Sequence, residues 1–168
     1  HLLRCFDDDN ITHVDGSVDP VRDKEIIDTE LQLKDLETVQ TQLKKSERQA
    51  QTGGDKQAKI RVALLKRIEE ALLQGLNARS VTPENKEEEQ ALRDLFLLTA
   101  KPVLYVCNVD EASAATGNAY VEAVRQAIAH EDAELLVVSA HIESEIAELE
   151  EYEERQLFLQ ELGLEETG

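Results

Sequence analysis

The sequence contains no methionine and no tryptophan, and aromatic residues make up only 4% of it. A core with so few rings must be built from Leu, Val, Ile and Ala. Beside 32% charged residues, that leans toward helix and much exposed surface. There are only two cysteines, Cys5 and Cys107, both inside apolar runs and neither in a Cys-x-x-Cys pair. That argues against a disulfide framework or a zinc site. No apolar run approaches the length of a membrane crossing, and no signal-peptide pattern opens the chain. The expectation is a reducing, cytoplasmic setting with no membrane partner. The absence of methionine extends to position 1, and His1-Leu2-Leu3-Arg4-Cys5-Phe6 reads as mid-strand, so the sequence is expected to be a piece of a longer protein. Its 168 residues suffice for one domain with a real core, or one with an extension.

The net charge is −18, but the charges are segregated. Residues 41–68 hold Lys44, Lys45, Arg48, Lys56, Lys59, Arg61, Lys66 and Arg67 against Glu47 and Asp55, a local +6 that leaves −24 for the remainder. Such asymmetry suits a basic patch with its own polyanionic partner. It equally suits a solvated helical face.

Residues 2–6 read as the end of a buried strand, followed by an Asp-, Asn- and Gly-rich loop over 7–19. Asp7-Asp8-Asp9-Asn10 lacks the alternating acids and glycine of a calcium loop, with Ile11 where a third ligand belongs. Asp19-Pro20 predicts a helix start. Ile26, Leu33, Leu36, Val39 and Leu43 then make one apolar stripe, and Leu65, Ile68, Leu72 and Leu76 a second. Thr52-Gly53-Gly54-Asp55 between them permits a tight reversal, so the two predict an antiparallel helical hairpin with basic residues around its tip. A connector over 75–86 leads to a helix over 87–98. A strand at 103–107, a helix at 119–130, a strand at 135–138 and helix over 142–162 complete a parallel β-α-β pattern. Ligands bind at the carboxyl ends of such strands, where Asn108 and Ser139 lie.

Asn108-Val109-Asp110-Glu111 stands where guanine-reading GTPases carry Asn-Lys-x-Asp. The Asn amide can bridge loops and face a base N7, a carboxylate a few residues on can accept base N–H groups, and the Ser139-Ala140 backbone can donate to the base edge. The same tetrapeptide could instead be a turn that caps a helix. The histidines, His1, His13, His130 and His141, show no metal spacing and read as surface or loop residues. Ser139 has no nucleophile-elbow glycines, so neither a catalytic residue nor a metal site is predicted.

Four segments carry a resemblance. "HLLRCFDDDNITHVDGSVDPVRDKEIIDTELQLKDLE", "GGDK" at 53–56, "KPVLYVCNVDE" at 101–111 and "IAELEEYEERQLFLQELGLEETG" at 146–168 resemble the Obg-like ATPase (YchF) family. The resemblance implies a partial α/β domain of the parallel-sheet P-loop GTPase kind over 1–19 and 77–168, with an inserted antiparallel hairpin, or coiled coil, over 20–76. It implies binding and hydrolysis of ATP in preference to GTP, with Mg2+, in the intact protein, and association with the translation machinery. Carried over residue by residue, it assigns base binding to Asn108, Val109, Glu111, Ser139 and Ala140, with Val109 where a guanine-stacking Lys would stand. The basic residues Lys44, Lys45, Arg48, Lys56, Lys59 and Arg61 are the expected contacts to a ribosome or its RNA.

The sequence departs from the family in one respect. No Gly-x-x-x-x-Gly-Lys-[Ser/Thr] loop occurs, and neither does the family's ubiquitin-like module. Alone, the chain is expected to be inactive and to hold no nucleotide. A rival reading is a non-enzymatic helical-hairpin module that binds RNA or protein.

Overall fold

Alternation along three short apolar segments builds the sheet. The computed structural model describes residues 1–8, 10, 16–53 and 56–164, with only the backbone at 52 and 53. The Gly53-Gly54 turn, the Asp55 cap, Asp9, Ile11 and His13 of the sequence reading fall wholly or partly outside them. Strands β1 (Leu2–Arg4), β2 (Leu104–Asn108) and β3 (Glu134–Val138) run parallel in the order β1-β2-β3. Leu3 pairs with Cys107, and Cys107 with Val137. One face therefore gathers Leu3, Cys5, Tyr105, Cys107, Leu135 and Val137. Helix α4 (Ala119–Ala127) covers it with Val121 and Val124, and Ile128 follows just beyond the helix. The strand expected at 103–107 lies one residue later. Cys5 falls just past β1, its N–H donating to the Asn108 carbonyl at 2.8 Å.

Packing divides the chain into two compact units, His1–Lys24 with Val103–Gly168, and Glu25–Pro102. The division falls inside helix α1 (Pro20–Gly53). That helix starts where Asp19-Pro20 predicted: Asp19 Oδ1 accepts from the Arg22 N–H at 3.1 Å. In the sheet unit, Lys24 is buried against Glu131 (Nζ to Oε1 2.7 Å), whose other oxygen accepts from the Tyr105 hydroxyl at 2.9 Å.

In the second unit α1 runs antiparallel to α2 (Lys56–Leu73): Gln32 bonds Asn77, Gln40 bonds Glu69 and Lys66 pairs with Glu47. Val39, Leu43, Leu64, Leu65, Ile68 and Leu72 form the shared core, joined by Ala78, Leu95 and Leu97. The predicted stripes are only partly buried. Ile26, Leu33 and Leu76 are exposed, and Asp35 takes an interior position instead. Its carboxylate accepts from the Leu98 and Thr99 N–H groups and the Thr99 hydroxyl at 2.7–2.8 Å. Those bonds compete with helical ones, so the helix expected over 87–98 is shorter: α3 is Lys86–Arg93, and Phe96 has a left-handed φ of 51°. Residues 77–102 fall in the same compact unit as these helices.

The helix expected over 142–162 is broken. Helix α5 (Ala140–Glu148) stops at Leu149, whose carbonyl accepts from Arg155 Nε at 2.8 Å, and α6 (Tyr152–Leu162) packs Leu159 against Ile142 and Ile146. One continuous helix would lead Leu159 away from those two isoleucines.

Candidate functional site

Two parallel strands end side by side at Asn108 and Val138, and the loops that follow are tied together. Asn108 Oδ1 accepts from the Ala140 N–H at 2.9 Å, and the Val109 N–H donates to the Val138 carbonyl at 2.8 Å. Asp110 caps the next turn, its Oδ1 accepting from the Ser113 N–H at 2.9 Å, so the 3₁₀ turn Glu111–Ser113 starts at a fixed place. This puts Glu111 opposite the start of α5, with Oε1 3.0 Å from His141 Nδ1.

The five residues assigned to base binding thus come from two adjacent loops, but they are not equivalent. Glu111 and Ala140 are exposed and Asn108 is half-buried. Val109 is only 3% exposed and packs in the core with Val121. Its side chain is committed to the interior, so it can serve a base only through its backbone. Ser139 is at the N-cap of α5 and yet makes no capping bond with its side chain. Its hydroxyl is buried without a hydrogen-bond partner among the described residues. An unpaired buried hydroxyl costs free energy on the order of 1–3 kcal/mol. Such a group at the end of a parallel strand marks a place where a ligand could supply the missing partner.

His141, read from the sequence as a surface or loop residue, is exposed, and the structure adds its closeness to Glu111. Below the site Cys5 and Cys107 are fully buried. Hydrogen bonding with the Cys107 thiol, with burial, pushes the Cys5 thiol far above its ordinary range.

The basic residues of the helical unit also divide. Lys44, Lys45, Arg48, Lys56 and Lys59 are exposed. Arg61 is half-buried, its Nε shielded from solvent, and it lines a cavity of about 380 Å³ between α2 and α3 with Lys86 and Asp94. Lys66 is paired with Glu47, and Arg67 with Glu84 and Glu88. Among the described residues no group of three or more His, Cys, Asp and Glu could hold a metal. No helix among them is long and apolar enough to cross a membrane.

No family model matches the chain. It is 48% identical over 171 residues to the ribosome-binding ATPase YchF of Bacillus subtilis (strain 168), an alignment covering 100% of this chain and 46% of that protein. It is 44% identical over 170 residues to the protein of the same name from Escherichia coli O157:H7, covering 100% and 45%. Obg-like ATPase 1 of Rattus norvegicus is 37% identical over 164 residues, covering 95% and 41%. The solved structure of the Schizosaccharomyces pombe YchF GTPase superposes with a TM-score of 0.83 at 29% identity, over 97% of this chain and 45% of that one. The whole chain is homologous to the YchF and Obg-like ATPases. Its α/β architecture, a three-stranded parallel sheet with helices, is that of the YchF structure. The chain spans less than half the length of the curated relatives it matches.

Proposed function

We propose that this chain is the base-recognising part of a YchF-type ATPase domain together with a coiled-coil arm. The observation that carries the reading is the bond from the Ala140 N–H to Asn108 Oδ1 at 2.9 Å, at the carboxyl ends of two parallel strands. Open α/β sheets bind ligands there. With Oδ1 so engaged, a purine would meet the Asn108 Nδ2 donors, the Glu111 carboxylate, the Ser139 hydroxyl and the backbone of Val109 and Ala140.

The base preference follows from the acid. Guanine offers N1–H and 2-amino donors that a short carboxylate can clamp, whereas adenine offers its 6-amino group elsewhere. Glu111, longer by one methylene than Asp, fits the guanine clamp poorly, so ATP is preferred over GTP. Phosphate contacts and Mg2+ would rest on a Gly-x-x-x-x-Gly-Lys-[Ser/Thr] loop, which does not occur in this sequence. The chain alone would not hydrolyse ATP. A partial domain also fits the open face of the sheet. Parallel sheets are normally covered on both faces, yet Leu2, Leu104 and Leu136 are 69, 45 and 39% exposed.

The helical unit, with its own core, supports a second role as an interaction module. Relatives named as ribosome-binding ATPases suggest the translation machinery as partner, which would place the protein in the cytoplasm. The hairpin over 20–76 would then be the insertion, with 1–19 and 77–168 forming the nucleotide-binding part.

In an intact YchF-like protein carrying this segment, Asn108→Ala should weaken ATP binding about tenfold, the worth of one buried hydrogen-bonding site. Isothermal titration with ATP and ADP reads this directly. Unchanged affinity in both Asn108→Ala and Glu111→Ala would overturn the base-site assignment.

A further inference from the structure

We propose that His141 is a second specificity-determining residue of the base site, presenting its Nε2 as a hydrogen-bond acceptor for the 6-amino group of adenine. This rests on the base-site reading above and deepens it. A neutral imidazole has one N–H and one lone-pair nitrogen, and the partner of one decides the role of the other. Here Nδ1 lies 3.0 Å from Glu111 Oε1 and 3.9 Å from Glu145 Oε1, the latter one turn along α5. A carboxylate accepts only, so Glu111, the neighbour within hydrogen-bond distance, favours the tautomer with its proton on Nδ1. Nε2 is then left as the acceptor. The side chain is 65% exposed, so that edge of the ring is open to a ligand.

The site would therefore offer two acceptors side by side, Glu111 and His141 Nε2, next to the Ala140 backbone. Adenine carries a two-proton donor at position 6, and guanine carries a carbonyl oxygen there. Two acceptors suit the amino group and repel the carbonyl, which is discrimination by an opposing element as well as an attractive one. Glu111 would contribute twice, by its own oxygens and by setting the tautomer of His141. Ser139, whose buried hydroxyl has no partner among the described residues, stands two positions before His141, at the N-cap of α5. The β3–α5 connection thus brings a second polar group that a base could satisfy.

Two measurements test this. On this chain alone, 15N imidazole shifts at pH 8 should show the Nδ1–H tautomer of His141 predominating, and Glu111→Gln should move it toward Nε2–H. A predominant Nε2–H form in the unsubstituted chain would overturn the proposal without any nucleotide present. In an intact YchF-like protein carrying this segment, His141→Ala should lower the ratio of ATP to GTP affinity about tenfold, with melting temperature unchanged, and His141→Gln, which keeps an acceptor, should restore part of it. If ATP still binds and the ratio is unaltered, the role of His141 is refuted while the base site stands. If Asn108→Ala and His141→Ala both leave every nucleotide affinity unchanged, the base-site reading fails and this inference falls with it.

Discussion

Side chains of one chemical type were sorted by their neighbours into different roles. Val109 and Glu111 stand two residues apart, yet one fills the core and the other faces solvent. Asp110 and Asp35 are both Asp, but one caps an exposed turn and the other is buried under three hydrogen bonds. The cysteines give a prediction at this scale. Cys5 is held protonated by its hydrogen bond to Cys107 and by burial, so its folded pKa lies above the unfolded value near 9. A raised thiol pKa contributes stability that is complete below the unfolded value and is lost as pH climbs past it. Urea-denaturation free energy should therefore fall above about pH 9, by on the order of 1 kcal/mol per pH unit. Replacing both cysteines with Ala should remove that part of the slope. An identical pH slope in the variant would show that the thiols ionise as freely in the folded chain as in the unfolded one.

The elements show how far periodicity reaches. The stripe on α1 joined Leu33 to Val39, but Leu33 is 59% exposed and Val39 fully buried. Six residues leave two side chains about 120° apart around a 3.6-residue helix. The buried face follows Asp35, Val39, Leu43 and Ser46, spaced four, four and three apart. On α2 the stripe was nearer the outcome, with Leu65, Ile68 and Leu72 all in the core. Leu65→Ala should cost about 2–5 kcal/mol through lost burial and a residual cavity. Leu33→Ala should cost under about 1 kcal/mol, as surface changes do. Thermal denaturation of the two variants decides it, and equal losses would mean that α1 packs along its whole stripe. The start of α1 was legible because Asp19-Pro20 acts on its own helix end, and α4 begins at the expected Ala119, where the structure shows Asn118 Oδ1 accepting from the Val121 N–H at 3.1 Å. The end of α3 was not legible, because the segment after it is held by Asp35, more than sixty positions from Leu98 and Thr99 in sequence.

For the whole molecule, the uneven charge is the feature that asks for a partner. Of the eight cations over residues 41–68, Lys66 and Arg67 are paired with carboxylates and Arg61 lines a cavity, which leaves Lys44, Lys45, Arg48, Lys56 and Lys59 exposed, and the four lysines are the ones to test. If the arm meets ribosomal RNA, changing these four to Gln should weaken binding of the chain to a mixed-sequence RNA duplex. It should also reduce the log–log salt slope by roughly 3, at 0.7–0.9 per phosphate contact. Filter binding from low to moderate salt measures both. Unaltered affinity and slope would leave the lysines the role of keeping a long helical pair soluble.

What the sequence by itself determined is local: the helix caps, the parallel strands and the antiparallel helices, with Asn108 and Ser139 at two neighbouring strand ends. These depend on neighbours within a few residues, or on motifs quoted directly from the chain. The tertiary structure alone decided which members of a stripe are buried, that Val109 turns inward, that Asp35 holds the segment after α3 and that His141 meets Glu111. Each of those depends on two segments far apart in sequence arriving at one place, and no single-segment pattern records that distance.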